Sequence, residues 1–232
     1  MARSAAGKTG VEFDVAVSEM MLTEISALAA THRLAILGGF ACNGDQEFPK
    51  GTQTLLMLGP LEPGYWAHIK AQPEWGGPDP VDNWSRRVLG AMARELGGTA
   101  LFPFGGPPYN PFYKWALRTG RVWNSPVRLL VQAEQGLMVS FRGALALPEK
   151  MKVPPPQVQP CDSCEKPCLT ACPAGVLGAA GYDVPGCHGF LTQPAGAECM
   201  NLGCAVRRAC PLSQAYARLP EHSAYHMGIF HK

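Results

Sequence analysis

Apolar residues recur at helical spacing in residues 18–33, where Met21, Leu22, Ile25, Leu28 and Ala29 share one face and Ser18 is a candidate cap. Residues 53–59, Gln-Thr-Leu-Leu-Met-Leu-Gly, form a short continuous apolar run that reads as a buried strand. The clearest amphipathic period lies in residues 80–96. There Val81, Trp84, Val88, Leu89, Met92 and Leu96 fall on one side, and Gly97-Gly98 stops the helix. Thr99 to Phe102 reads as a strand. Val127 to Ala133 and Leu137 to Leu147 read as a strand pair turned through Glu134-Gln135-Gly136. Helices mixed with hairpin-connected strands predict an α+β domain. No Gly-x-Gly-x-x-Gly and no phosphate-binding Gly-x4-Gly-Lys-[Ser/Thr] is present to argue for a doubly wound sheet.

This alternation ends at a proline-rich seam, Pro148 to Pro160, which contains Val153-Pro-Pro-Pro-Gln-Val-Gln-Pro160. Such a segment favours extended geometry and acts as a semi-rigid spacer. The seam predicts a domain over residues 1–150, a linker over 151–160 and a second domain over 161–232. Of nine cysteines only Cys42, read as a small buried hydrophobe, precedes the seam. The chain is 47% hydrophobic, ordinary for a globular protein. No segment approaches eighteen consecutive apolar residues, so no membrane span is expected. Charge is balanced on both sides: residues 1–150 hold 14 basic and 13 acidic side chains, residues 151–232 hold 6 and 5. Nothing in that balance demands nucleic acid.

The other eight cysteines carry the chemistry. The run Cys161-Asp-Ser-Cys164-Glu-Lys-Pro-Cys168-Leu-Thr-Ala-Cys172-Pro173 has the form C-x2-C-x3-C-x3-C-P, one residue longer than the bacterial ferredoxin run. Cys187, Cys199, Cys204 and Cys210 follow, the last again before a proline, Pro211. A cubane iron–sulfur cluster takes one thiolate per iron, so eight thiolates suit two [4Fe–4S] clusters. In two-cluster ferredoxins the cysteine before the proline ligates the other cluster. By that pattern Cys161, Cys164, Cys168 and Cys210 hold cluster 1, and Cys172, Cys187, Cys199 and Cys204 hold cluster 2. Structural zinc is the weaker reading, because only Cys161/Cys164 is a strict C-x2-C pair. A disulfide framework is weaker still. The first thirty residues carry Glu12, Asp14, Glu19 and Glu24 and form no apolar secretory core, and free thiolates fit a reducing cytoplasm.

The cysteine arrangement after a proline linker and an α+β domain resembles epoxyqueuosine reductase, a cobalamin-dependent dicluster enzyme. Three segments of the upstream part are similar to the cobalamin-processing chaperone of the CblC type: Asp79-Pro80-Val81-Asp82, Leu130-Val-Gln-Ala-Glu-Gln-Gly136, and Val139-Ser-Phe-Arg-Gly143-Ala-Leu-Ala-Leu-Pro148. The resemblance implies a ferredoxin-like dicluster domain behind an α+β domain able to hold a corrinoid or a flavin. Two departures stand out. The reductases close with G-C-x2-C-x3-C-P, whereas Gly203-Cys204-Ala-Val-Arg207-Arg-Ala-Cys210-Pro211 has arginine at the middle position, leaving Cys199 as the replacement ligand. Those enzymes also use an upstream carboxylate as proton donor, but between Asp82 and Asp162 the only acids here are Glu95, Glu134 and Glu149. With no helical-repeat tail expected after the clusters, queuosine chemistry is not expected.

From Phe104 to Arg128, ten aromatic or basic side chains occur without an acid. Tyr113, Trp115 and Arg118 are the candidates there for stacking a planar cofactor and holding its anionic group. The plainer alternative is a core stripe beneath a basic face. Arg207 and Arg208, between two candidate ligands, would raise a cluster's potential by favouring its more negative reduced form. His188 adjoins Cys187 as a neighbour rather than a ligand, and His222, His226 and His231 lie in the C-terminal segment. The expected function is electron transfer through two [4Fe–4S] clusters, to a redox partner protein or a small-molecule acceptor. The alternative is an iron–sulfur oxidoreductase or chaperone reducing a corrinoid or flavin held upstream.

Overall fold

The computed structural model describes the backbone from residue 9 and side chains from residue 19 onward. Along the chain the elements are α1 (Thr9–Thr31), β1 (Leu34–Ala41), β2 (Thr54–Pro60), α2 (Tyr65–Lys70), α3 (Pro80–Glu95), β3 (Thr99–Leu101), α4 (Phe112–Arg118), β4 (Val122–Asn124), β5 (Leu130–Gln132), β6 (Gly143–Leu147), β7 (Leu177–Gly178), β8 (Gly181–Tyr182), α5 (Val184–Leu191), α6 (Ala197–Leu202), α7 (Ala205–Ala209), α8 (Pro211–Ala215) and α9 (Pro220–Phe230). Helices and antiparallel sheets together make this an α+β protein. No helix among the described residues is long and apolar enough to cross a membrane.

The chain divides into two compact units. One holds the residues up to Leu61, Ala71–Phe112 and Phe141–Pro155; the other holds Glu62–Lys70, Tyr113–Ser140 and Pro156–Lys232. The division falls inside the proline-rich seam, between Pro155 and Pro156. The units are nonetheless not the contiguous 1–150 and 161–232 read from the sequence. Residues 62–70 and 113–140 pack with the cysteine segment because they supply its apolar partners. The stretch 151–160 is no free spacer either. The Met151 amide donates to Thr54 Oγ1 at 3.2 Å in the first unit, and the Gln157 amide donates to the Gly120 carbonyl at 2.9 Å in the second.

The first unit is built on a four-stranded antiparallel sheet in the order β1-β2-β6-β3. The apolar run becomes β2, paired on both edges and buried at every residue, which is why it lacks alternation. α3 covers the sheet with Val81, Trp84, Val88, Leu89 and Met92, all buried, while Leu96 caps the end and Gly97 turns the chain at φ 64°. Pro80 opens that helix at its first turn, where its missing N–H costs nothing. α3 and β6 meet closely at Gly143, where a Cβ would stand 2.5 Å from Leu89 Cδ1 and 2.9 Å from the Leu101 carbonyl oxygen. Each fully buried Leu here contributes roughly 1.5–3 kcal/mol. α1 starts at Thr9, so Ser18 lies inside the helix rather than capping it, and its side chain lies outside the described residues. Ile25 and Ala29 of the expected apolar face are buried, and Cys42 is 2% exposed.

The expected hairpin between 127–133 and 137–147 does not form. β5 pairs with β4, β6 pairs with β2 and β3, and only an isolated bridge joins Gln132 to Gly136. Both segments have the right period for strands, but β6 pairs with the fully buried β2 on one side and the short β3 on the other, while β5 pairs with β4. After the seam the second unit contains the helices α5 through α9, and Leu177 sits in a short strand. Its core gathers Val127, Val131, Leu137, Leu177 and Val206 around Cys168 and Cys210. In the same unit α9 packs on α6, and His222, 1% exposed, stacks on Trp66 at 4.8 Å and 7° between planes.

Candidate metal centre

All eight candidate ligands lie in the second unit, and all nine cysteines are free thiols. Cys161, Cys164 and Cys168 come from one loop, in which Lys166 takes a left-handed φ of 59° to start a single 3-10 turn over Pro167–Leu169. The turn puts Cys168 inside, and the Lys166 amide donates to Cys164 Sγ at 3.3 Å. Cys210 ends α7 and precedes Pro211, the first residue of α8; its φ −66° and ψ 124° are the extended values proline imposes on the preceding residue. These four cysteines line one pocket of about 270 Å³, its open mouth included, together with Val131, Leu137 and Pro126.

The second set comes from four separate places. Cys172 precedes Pro173, Cys187 lies in α5, Cys199 lies in α6 and Cys204 caps the start of α7. Asp183 positions α5 by accepting from the Gly186 amide at 3.0 Å. Gly203, at φ 89°, turns the chain between Cys199 and Cys204. The five-residue α7 therefore has a cysteine of the second set at its N-terminal end and one of the first set at its C-terminal end, with Val206 fully buried between them. Cys168 and Cys172 make the same crossing four residues apart.

The electrostatics follow this partition. Burial pushes the Cys161 thiol up to about 11, and the charges of Cys164, Cys168, Cys210 and Asp162 add to the rise. Cys168 is raised by burial and then by Cys210 and Cys164. Burial also raises Cys187 and Cys199, and each of these feels Cys204 and Cys172. Cys199 thus shares its neighbours with the rest of its set. Two thiols in each set, Cys161 and Cys168 in the first and Cys187 and Cys199 in the second, therefore resist ionisation. Among the described residues no three or more His, Cys, Asp or Glu side chains gather closely enough to hold a single ion. A tetrahedral zinc would need its sulfurs roughly 3.8 Å apart; a cubane, with an iron behind each thiolate and sulfide between, spreads them wider.

The cradle is close-fitting. A Cβ on Gly136, at φ 57°, would stand 3.0 Å from Cys210 Sγ and 2.5 Å from the Ser213 amide nitrogen. Three side chains hold the loop after Gly136: Ser213 Oγ accepts from the Leu137 amide at 2.9 Å, Arg207 Nη1 donates to the Leu137 carbonyl, and Arg218 Nη1 donates to the Met138 carbonyl at 3.1 Å. Burial, then the charge of Arg207, brings Arg218 down to about 10. Tyr182 hydrogen-bonds the Cys187 sulfur, and burial pushes its hydroxyl well above the usual range. Sequence reasoning missed Tyr182, Ser213 and the wall residues Val127, Val131 and Leu137. Glu134-Gln135-Gly136 was legible as a turn, but no pattern in the chain links it to Cys210.

The structure does not bring Tyr113, Trp115 and Arg118 to one surface. All three lie on α4, but Trp115 is 0% exposed and Ala116 beside it is buried, while Tyr113 and Arg118 face outward. Trp115 is core, as the plainer alternative has it, and does not join Tyr113 and Arg118 on the outer face. Tyr113 instead hydrogen-bonds the Asn124 side chain. The three glutamates between Asp82 and Asp162 are all exposed, and Glu134 pairs with Arg121 at 2.6 Å. His188 turns away to His231, Nδ1 to Nδ1 at 2.8 Å, and stacks on Phe230 at 4.5 Å. His222 and His226, on α9, approach each other at 3.2 Å.

No family model, no curated protein and no solved structure matches this chain. The likeness to epoxyqueuosine reductase and to the cobalamin chaperone therefore rests on the quoted motifs.

Proposed function

We propose that this protein is an electron carrier with two [4Fe–4S] clusters, the first on Cys161, Cys164, Cys168 and Cys210, the second on Cys172, Cys187, Cys199 and Cys204. The carrying observation is the crossing. Cysteines far apart in sequence become electrostatic neighbours in two groups of four, and α7 links the groups. The donor chemistry fits, since soft thiolates in an apolar pocket select iron–sulfur clusters over harder cations. When bound, each cluster supplies one-electron redox capacity.

The chain's own residues do the rest. The 3-10 turn and α7 aim the thiols inward, Val131, Leu137 and Val206 exclude water, and backbone N–H groups at Lys166 and Ala205 donate to sulfur. This reading favours a reducing compartment such as the cytoplasm, where such thiols stay reduced. A corrinoid- or flavin-dependent oxidoreductase or chaperone is the weaker reading, because α4 offers no shared surface for the cofactor. Anaerobic reconstitution followed by iron and acid-labile sulfide counts is the test. About eight of each per chain supports two cubanes; stoichiometric zinc without sulfide, or about four irons, rejects them.

A further inference from the structure

We propose that Ser125 donates a hydrogen bond from its hydroxyl to a sulfur of the cluster held by Cys161, Cys164, Cys168 and Cys210, and that this bond raises the reduction potential of that cluster. The proposal rests on the dicluster reading. No spacing pattern links Ser125 to these cysteines, since it lies well before the first of them in the chain. The fold brings it to their pocket.

Backbone bonds fix where Ser125 stands. It opens the turn that joins β4 to β5: its carbonyl accepts from the Arg128 amide at 2.8 Å, and its amide donates to the Leu129 carbonyl at 2.9 Å. Pro126 follows in the second position of the turn, which suits its fixed φ. Val127 is buried in the core around Cys168 and Cys210. Asn124, just before the turn, is held by Tyr113 at its side chain and by Gln159 Nε2, which donates to its carbonyl at 3.4 Å. A serine that opens a turn commonly directs its hydroxyl to its own backbone two residues on. Ser125 does not. It is 5% exposed, and its Oγ is buried with no hydrogen-bond partner among the protein's groups.

The rest of the wall defines the partner that this hydroxyl lacks. Ser125 lines the pocket of the four thiols beside Pro126, Val131, Leu137, Pro167 and Pro211, whose side chains accept no hydrogen bond. Lys166 also lines it, and an ammonium only donates. The side-chain acceptors on that wall are therefore the sulfurs of the cysteines. A metal-bound thiolate and an inorganic sulfide carry no proton, so the hydroxyl is the donor. Burying a hydroxyl without a partner is unfavourable, and a sulfur acceptor removes that penalty. Reduction places more negative charge on the sulfurs, which strengthens the bond and raises the potential. The Lys166 amide already donates to Cys164 Sγ at 3.3 Å, so donors reach this set from two segments of the chain. The electron balance is simple: a low-potential one-electron donor is oxidised by one electron, the cluster is reduced by one, and the hydroxyl keeps its proton.

The test is an anaerobic redox titration of the reconstituted protein followed by paramagnetic resonance, with photoreduced deazaflavin as the electron source. Proton couplings of the reduced signals are recorded before and after exchange into deuterium oxide. The signal of the first set is the one that Cys168→Ala abolishes. Ser125→Ala removes the hydroxyl and leaves the backbone bonds of the turn in place. It should lower the potential of that signal by about threefold in electron partition, about 28 mV for one electron on a scale of about 59 mV per tenfold. It should also remove one exchangeable proton coupling from the same signal and leave the other signal unmoved. Ser125→Thr, which keeps the hydroxyl, should retain the coupling and most of the potential. Ser125→Gly, which also lacks the hydroxyl, serves where Ser125→Ala fails to fold. A retained coupling, an unchanged potential, or an effect confined to the other signal overturns the proposal while leaving two clusters in place. Protein that holds no iron and sulfide overturns the dicluster reading as well, so the two failures are distinguishable.

Discussion

In the sheet unit, β2 lies between two partner strands with every residue from Thr54 to Pro60 buried, and α3 lays Trp84, Leu89 and Met92 across the strands. In the cysteine unit the strands are three residues or fewer, most of the helices are shorter than nine, and two of the core positions are thiols, Cys168 and Cys210. The first is the kind of core that apolar area alone can hold. The second is too fragmented for that: four of its helices are of six residues or fewer, below the length at which a helix persists by itself. Cys161 and Cys168 there resist deprotonation, and under the dicluster proposal a bound cluster would compensate their thiolate charge. Under that proposal the first unit is held by apolar burial, and the second would gain further stability from its clusters.

The strongest way to break that comparison is to remove the metal. Under the dicluster proposal, chelation under reducing conditions should speed hydrogen exchange at the amides of residues 156–215 while those of β1, β2 and β6 keep their protection. Simultaneous loss of protection in both units would overturn the distinction. Next in size is the effect of single ligands. Cys168→Ala and Cys172→Ala, four residues apart, should each abolish a different paramagnetic signal, and Cys199→Ala should match Cys172→Ala. Loss of one common signal by the first two would refute the partition.

A smaller effect separates the units from the other side. Leu145 is 0% exposed in β6, so Leu145→Ala should cost about 2–5 kcal/mol in the sheet unit, read by denaturant unfolding. Iron content per folded chain should not change. Smallest is a pH effect on the metal-free protein. Cys161 titrates at about 11 in the folded state, above an unfolded cysteine near 8.5–9. Its thiol form is therefore favoured by folding. Stability from this group is complete below about pH 8.5 and falls as pH rises toward 11, because the unfolded chain loses the proton first. Thermal unfolding across that range should decline for the metal-free protein. The cluster-loaded protein, whose thiolates are already deprotonated, should not share that decline.

The sequence by itself determined the elements whose cause is local. The 3.6-residue period and Gly97 define α3, the unbroken apolar run defines β2, and Pro211 after Cys210 opens α8. The clustering of eight cysteines between 161 and 210 was legible as a candidate site from spacing alone, and their division into two ligand sets is part of the proposal. Only the tertiary structure decided the rest. Strand period says that β5 and β6 are strands but not whom they pair with, since pairing depends on which long apolar edge is available in space. An aromatic-basic stretch looks alike whether it lines a platform or a core; the rotation of α4 decided that Trp115 turns inward. Tyr182, Ser213 and Leu137 join the thiols from distant parts of the chain through close packing. The division into units likewise follows apolar contact in space, which is why residues 113–140 belong with cysteines that lie beyond the proline seam.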